Sequence, residues 1–149
     1  MPYQHLLVAV DNTEDRAPLL TKAKSLASSF GARLSVVSAM APTPINTFAG
    51  DMGTMLPLVV EPQWSNELRD ELRKTLCAAC APLGIDDANV HLVLGIADSA
   101  ILDTAKELGA DLIVIGHRQH QGIFANVFAH TDENVVGKAV CDVLAVVLA

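Results

Sequence analysis

The stretch Ala110-Asp111-Leu112-Ile113-Val114-Ile115-Gly116-His117-Arg118-Gln119-His120-Gln121-Gly122 joins an unbroken apolar run to a glycine and then to polar, histidine-rich sequence. Four apolar residues in succession, Leu112 to Ile115, suit a strand buried on both faces, as in a parallel sheet covered by helices. A buried strand that ends in glycine ahead of a loop is how such folds aim backbone amides at a phosphate. Here the loop departs from that use. Wrapping a phosphate takes glycine wherever the backbone turns through positive φ or comes close to the ligand, and Gln119 and His120 stand in those places. The stretch reads as a nucleotide-binding strand whose phosphate loop has degenerated.

Working outward, the same kind of run recurs. Residues 4–10, 33–39, 89–95, 111–116 and 142–148 are each rich in successive Val, Leu or Ile. Longer segments of helical period separate them, so the rhythm is βαβ and predicts an α/β fold. The expected architecture is a single doubly wound, Rossmann-like domain over residues 1–149, with a five-stranded parallel sheet in the order 3-2-1-4-5 flanked by about four helices. Leu19, Leu20, Ala23, Leu26, Ala27 and Phe30 form the stripe of the first helix, closed by Gly31. Pro18 is tolerated only in the first turn, which favours Asp15 over Asn12 as its cap. Leu68, Leu72, Leu76, Ala79 and Leu83 share a second face. Ile101, Leu102, Ala105 and Leu108 make a third behind the cap candidates Asp98 and Ser99. A last helix is expected from Thr131 to about Ala139, weakened by Gly137.

Composition narrows the partners. The 149 residues are 51% hydrophobic and 4% aromatic, which fits one core built from aliphatic side chains. With a formal net charge of -7 and only 10 Lys and Arg, the chain lacks the basic surface that a nucleic acid requires. There is no basic leader and no apolar run of the ~18 residues that span a bilayer, so a cytoplasmic chain without a membrane anchor is expected. Three cysteines form no even disulfide framework, which suits a reducing compartment.

The region 40–65 breaks the rhythm. It holds Pro42, Pro44, Gly50, Gly53, Pro57 and Pro62, and exceeds the ~12 to 15 residues usual for a loop without secondary structure. Its apolar centre, residues 52–60, suits a flap over a pocket or an interface pad; a loop packed on its own helix is the plainer alternative.

In a doubly wound sheet, ligands sit beyond the carboxyl ends of the strands where the winding reverses. For the order 3-2-1-4-5 that point lies between the first and fourth strands, which end in Val10-Asp11-Asn12 and Ile115-Gly116-His117. Asp11 there is placed to hold a ribose hydroxyl or an adenine amino group, or else it is a solvated strand-end cap.

Leu6-Leu7-Val8-Ala9-Val10-Asp11, Ala110-Asp111-Leu112-Ile113-Val114-Ile115-Gly116 and Val143-Leu144-Ala145-Val146-Val147 together resemble the universal stress proteins over nearly the whole chain. Gly116-His117-Arg118-Gln119 resembles the Gly-His-His-Gln of the universal stress protein A branch more than the Gly-x-x-Gly of the ATP-binding branch. The resemblance implies a phosphate motif Gly-x2-Gly-x9-Gly-(Ser/Thr) in nucleotide-binding members. Counted from Gly116, its second glycine falls on Gln119, its third on Ala129 and its hydroxyl on His130. Side chains then enter the phosphate space, and a non-glycine residue held at positive φ adds ~1 kcal/mol or more of strain. Tight ATP binding is not expected. The nucleoside half persists in Ala9, Val10, Asp11, Ala39, Ile115 and Gly116, so weak binding of adenosine, AMP or ATP is implied, with Thr131 and Arg118 as replacement phosphate contacts.

Three further features bear on function. Cys77-Ala78-Ala79-Cys80 has redox spacing, but it lies near the end of a helix, where no dipole lowers a thiol pKa. Helical phase puts Cys80 at the edge of the apolar stripe and Cys77 exposed on the far side. His117, His120 and His130 cluster around the loop, and their spacing matches no zinc signature. No metal is expected. Finally, Asp142, Val143, Leu144, Ala145, Val146, Val147 and Leu148 form an apolar edge strand without a Lys or Pro gatekeeper. The family resemblance implies that this strand pairs with its copy in a homodimer. No nucleophile, base and oxyanion set is evident, so the expectation is a non-catalytic stress-response protein; an adenine-nucleotide sensor or slow ATPase is the alternative.

Overall fold

The computed structural model describes residues 3–10, 16–40, 66–118 and 131–148. Its elements run β1 (His5–Val10), α1 (Arg16–Phe30), β2 (Arg33–Met40), α2 (Asn66–Cys80), β3 (Val90–Leu94), α3 (Ala97–Leu108), β4 (Leu112–Arg118), α4 (Thr131–Lys138) and β5 (Asp142–Leu148). Short 3-10 turns at Ala81–Leu83 and Asp87–Asn89 link α2 to β3. All the strand pairs are parallel, and the order is β3-β2-β1-β4-β5, as expected for the doubly wound fold.

Every residue of β1 is buried, because the central strand is covered on both faces. Alternation along it divides the core in two. Leu6, Val8 and Val10 pack with Leu20, Ala23, Leu76 and Cys80 beneath α1 and α2. Leu7 and Ala9 pack with Ile101, Ala105 and Val135 beneath α3 and α4. The two crossovers leading toward β3 thus lie on one face, and the two leading toward β5 lie on the other, as right-handed connections demand.

The helices stop where their backbone turns left-handed. Gly31 has φ +65°, its N–H donates to the Ser28 carbonyl, and the Ala32 N–H donates to the Ala27 carbonyl. That double closure satisfies the last orphan carbonyls of α1 at a position where a side chain is strained. The chain passes straight into β2, with the Arg33 N–H on the Gln4 carbonyl.

Several boundaries differ from the sequence reading. Asp98 and Ser99 do not cap α3: the N-cap is Ile96, and Asp98 sits in the first turn, its Oδ1 accepting the Ser99 N–H at 2.9 Å. A carboxylate there complements the dipole without being the cap. The α2 helix ends at Cys80 rather than at Leu83, because Pro82 enters at a 3-10 turn closed by Gly84. Strand β4 runs two residues past Gly116, since Gly116, His117 and Arg118 pair with Val146, Val147 and Leu148. The α1 helix starts at Arg16, one residue after the expected cap; Asp15 itself lies outside the described residues, as does the 41–65 segment. Among the described residues, no helix is long and apolar enough to cross a membrane.

Candidate functional site

The winding of the sheet reverses between β1 and β4, and the carboxyl ends of those strands are where a doubly wound fold takes its ligand. The register puts Ala9 beside Ile115 and Val10 beside Ser38. Ala9 and Ile115 belong to the core beneath α3 and α4, Val10 to the core beneath α1 and α2. Ala39, half-buried, stands one step beyond the β1 pairing and shares the face of Val37 and Ala9. Ala9, Ala39 and Gly116 thus bring small residues to the carboxyl ends of three neighbouring strands.

Gly116 is half-buried and paired with Val146 inside the ladder, and it is absent from the positive-φ glycines. It therefore does not start a phosphate-wrapping turn, as the sequence reading has it; β4 continues in extended form to Arg118. What the glycine supplies at the reversal is the lack of a side chain. Of the other candidates, Asp11, Gln119, Ala129 and His130 lie outside the described residues, as do the side chains of Arg118 and Thr131.

A residue that the sequence reading passed over stands beside them. Ser38 is 1% exposed, and its Oγ has no hydrogen-bond partner among the described residues. A buried hydroxyl left unanswered costs about 1–3 kcal/mol, which is uncommon unless something else uses it. Its signal was a serine inside the otherwise apolar end of β2.

The opposite, amino end of the sheet carries a fully answered cluster. His5 Nε2 lies 2.7 Å from Ser35 Oγ, its Nδ1 lies 3.2 Å from the Leu108 carbonyl, and an Arg33 guanidinium nitrogen stands 3.5 Å from Nδ1. Burial first, then the Arg33 charge, push the His5 pKa down, against the raising effect of Leu108 and Asp111. Burial opposes ionisation of Asp111, but the Gln4 and His5 amides, at 2.9 and 3.0 Å, hold its carboxyl below the ordinary value. Ser35 and His5 have the spacing of a nucleophile and its base, but both are buried and the second ring nitrogen faces a backbone carbonyl. The pair ties strand to strand.

The cysteines depart from their expected exposure. Cys80 is fully buried in the core rather than at its edge, and burial drives its pKa to about 11. Cys77 is half-buried against the same core rather than exposed, and burial, followed by a hydrogen bond to Asp87, raises its pKa. Neither thiol is activated. His117 is half-buried on β4, His120 and His130 lie outside the described residues, and no group of three metal-ligating side chains occurs among the described residues.

Comparison with known proteins gives a consistent result. The model of the universal stress protein family matches residues 2–147. A "Universal stress protein A homolog 2" of Coxiella burnetii is 32% identical over 146 residues, covering 97% of this chain and 94% of that one. Among solved structures, a universal stress protein in complex with cAMP superposes with a TM-score of 0.66 at 21% identity, covering 98% of both chains. The universal stress protein from Archaeoglobus fulgidus in complex with dAMP superposes with a TM-score of 0.58 at 25% identity, covering 97% of this chain and 98% of that one.

Proposed function

The chain belongs to the universal stress protein family, and from that membership we propose that it is a non-catalytic, homodimeric stress-response protein that keeps a weak nucleoside site and has lost its phosphate cradle. The observation that supports this reading is the reversal of winding at β1/β4, with Ala9, Ala39 and Gly116 near the carboxyl ends of neighbouring strands. A planar base enters where side chains are small, and Asp11, next in sequence after Val10, is the residue proposed to take a ribose hydroxyl or an adenine amino group. The cAMP and dAMP held by two structural relatives support the ligand class, a nucleoside with one phosphate.

Beyond the first phosphate, favourable contacts run out. Gln119, Ala129 and His130 replace the two glycines and the hydroxyl that ATP-binding members use, so a longer polyphosphate gains nothing. Adenosine and AMP therefore bind about as well as Mg-ATP. An adenine-nucleotide sensor or slow ATPase is the competing reading, with Arg118 and Thr131 supplying the missing contacts. Calorimetric titration with Mg-ATP, AMP and adenosine separates the two. Sub-micromolar affinity for ATP defeats the first reading, and absence of heat with all three ligands defeats the second together with the weak nucleoside site of the first.

Dimerisation is proposed through β5. It stands at the sheet edge with Val147 60% exposed, and edge strands of this kind template pairing with another chain. Light scattering at micromolar concentration is expected to give twice 15.8 kDa, and the 15.8 kDa mass alone contradicts the dimer. Val147→Lys, which sets a charge on that edge, is expected to release the monomer. The cytoplasm is the proposed compartment and other proteins the proposed downstream partners, since a chain of net charge -7 repels nucleic acids and anionic membranes.

A further inference from the structure

At the carboxyl end of the sheet the two strands of the reversal part company. Among the described residues, the β1–β4 ladder stops at Ala9 and Ile115. Beyond that step β1 keeps to β2, with Val10 beside Ser38, whereas β4 keeps to β5, with Gly116, His117 and Arg118 beside Val146, Val147 and Leu148. Strand β4 is thus held from both sides as far as Ile115 and from one side after it. Burial changes at the same place: Leu112 to Ile115 are buried, and Gly116 and His117 are half-buried. The residue at the step is a glycine, the one residue type that takes an extended or a positive φ with equal ease. Here it is extended, within the ladder.

We infer that the end of β5, Val146 to Leu148, is a strap that regulates the nucleoside site, an assignment that rests on the nucleoside reading proposed above. While the strap is paired, Gly116 to Arg118 stay extended and do not bend around a phosphate chain. When it lets go, Gly116 is a hinge, and the amides that follow it leave the ladder to meet phosphate oxygens. Such an opening is local, because the buried ladder up to Ile115 keeps both of its partners. Adenosine needs no turn of this kind, so the strap selects on the number of phosphates and not on the base. It acts in addition to the glycines that Gln119 and Ala129 replace. By reciprocity, a phosphate chain bound at the hinge loosens the strap.

The test uses the full chain carrying Gln119→Gly, Ala129→Gly and His130→Ser, in which the strap is the remaining restraint. Val147→Pro with Leu148→Pro is added to it. Adjacent strand residues aim their N–H groups to opposite sides, so one of the two prolines removes a donor that faces β4. The expected result in calorimetry is Mg-ATP bound about tenfold more tightly, with adenosine unchanged. Unchanged Mg-ATP affinity alongside normal adenosine binding overturns the strap and leaves the nucleoside site standing. Absence of adenosine binding in every variant overturns the nucleoside site and the regulation with it. Val147→Lys keeps every backbone N–H of the ladder and is expected to give a smaller gain; a gain equal to that of the proline pair puts the exposed edge in control and overturns the strap. Hydrogen exchange answers the same question without altering β5. In the triple variant, Mg-ATP is expected to strip protection from residues 146–148 while AMP does not, and protection that Mg-ATP leaves unchanged or strengthens overturns the strap.

Discussion

The two ends of this sheet are built from similar residues and resolved in opposite ways. At the amino end, Ser35 is buried on the α3/α4 side and answered at 2.7 Å by His5, whose other nitrogen meets the Leu108 carbonyl. At the carboxyl end, Ser38 is buried on the α1/α2 side and answered by nothing among the described residues. One strand, β2, carries both serines. The contrast teaches where the fold invests its polar groups in stability and where it leaves them to a ligand or a loop, as expected when a scaffold is closed at one end and functional at the other.

The strongest way to break the comparison is to remove the centre of the closed end. His5→Ala deletes a buried ring and strips partners from Ser35 and the Leu108 carbonyl, so a loss of about 3 kcal/mol is expected in urea denaturation. A loss below about 1 kcal/mol means that the cluster is incidental and the contrast empty. At the open end, the matching experiment restores what the sequence removed. Gln119→Gly, Ala129→Gly and His130→Ser together are expected to raise Mg-ATP affinity at least tenfold, about 1.4 kcal/mol, with adenosine unchanged in calorimetry. If adenosine tightens equally, the substitutions act on the whole site and the division into nucleoside and phosphate halves fails.

Acid sharpens the comparison, because among the described residues the histidines whose pKa is lowered are the buried His5 of the closed end and the half-buried His91 of β3. Burial comes first for both, followed by Arg33 for His5 and Arg73 for His91. The unfolded chain therefore takes up these protons before the folded one does. Their contribution to stability is complete above about pH 6.5 and is lost as pH falls from there through the folded values. The urea midpoint is expected to drop between about pH 7.5 and pH 5.5, and His5→Gln with His91→Gln to flatten that drop. The carboxyl of Asp111, also lowered, adds its own loss only in the range below about pH 4, so the two effects separate along the pH axis.

What could be read from the chain follows from the range of each interaction. Five strands were legible because the signal, a run of apolar residues such as Leu112 to Ile115, is contained in the run itself, whereas their order followed from the doubly wound fold class. The start of α3 is not legible, because Asp98 and Ser99 are good caps by type, whereas Ile96 is the cap with no side-chain hydrogen bond. Cys77 was placed in solvent by an ideal helical phase, which omits the neighbouring turn that carries Asp87. The closed end was invisible: His5 meets Ser35 across 30 residues and Leu108 across 103, and no local pattern encodes such a pairing. At the reversal, Ala9 and Ile115 were legible as strand ends, whereas the orphan state of Ser38 depends on what every neighbour fails to offer.

The smallest expected effect tests the comparison most directly, since it sets the two serines of β2 against each other by the same one-atom deletion. Ser35→Ala leaves His5 Nε2 buried without its partner, and a loss of about 1–2 kcal/mol is expected. Ser38→Ala removes a hydroxyl that has no partner to lose among the described residues, so stability is expected to stay within about 0.5 kcal/mol or to rise. Calorimetry then divides the remaining possibilities. If a bound nucleoside uses the Ser38 hydroxyl, Ser38→Ala weakens adenosine without lowering the melting temperature of the free protein, and Ser35→Ala does the reverse. Equal destabilisation by the two substitutions means that Ser38 is answered within the fold, in which case the carboxyl end is as closed as the amino end and is not held open for a ligand.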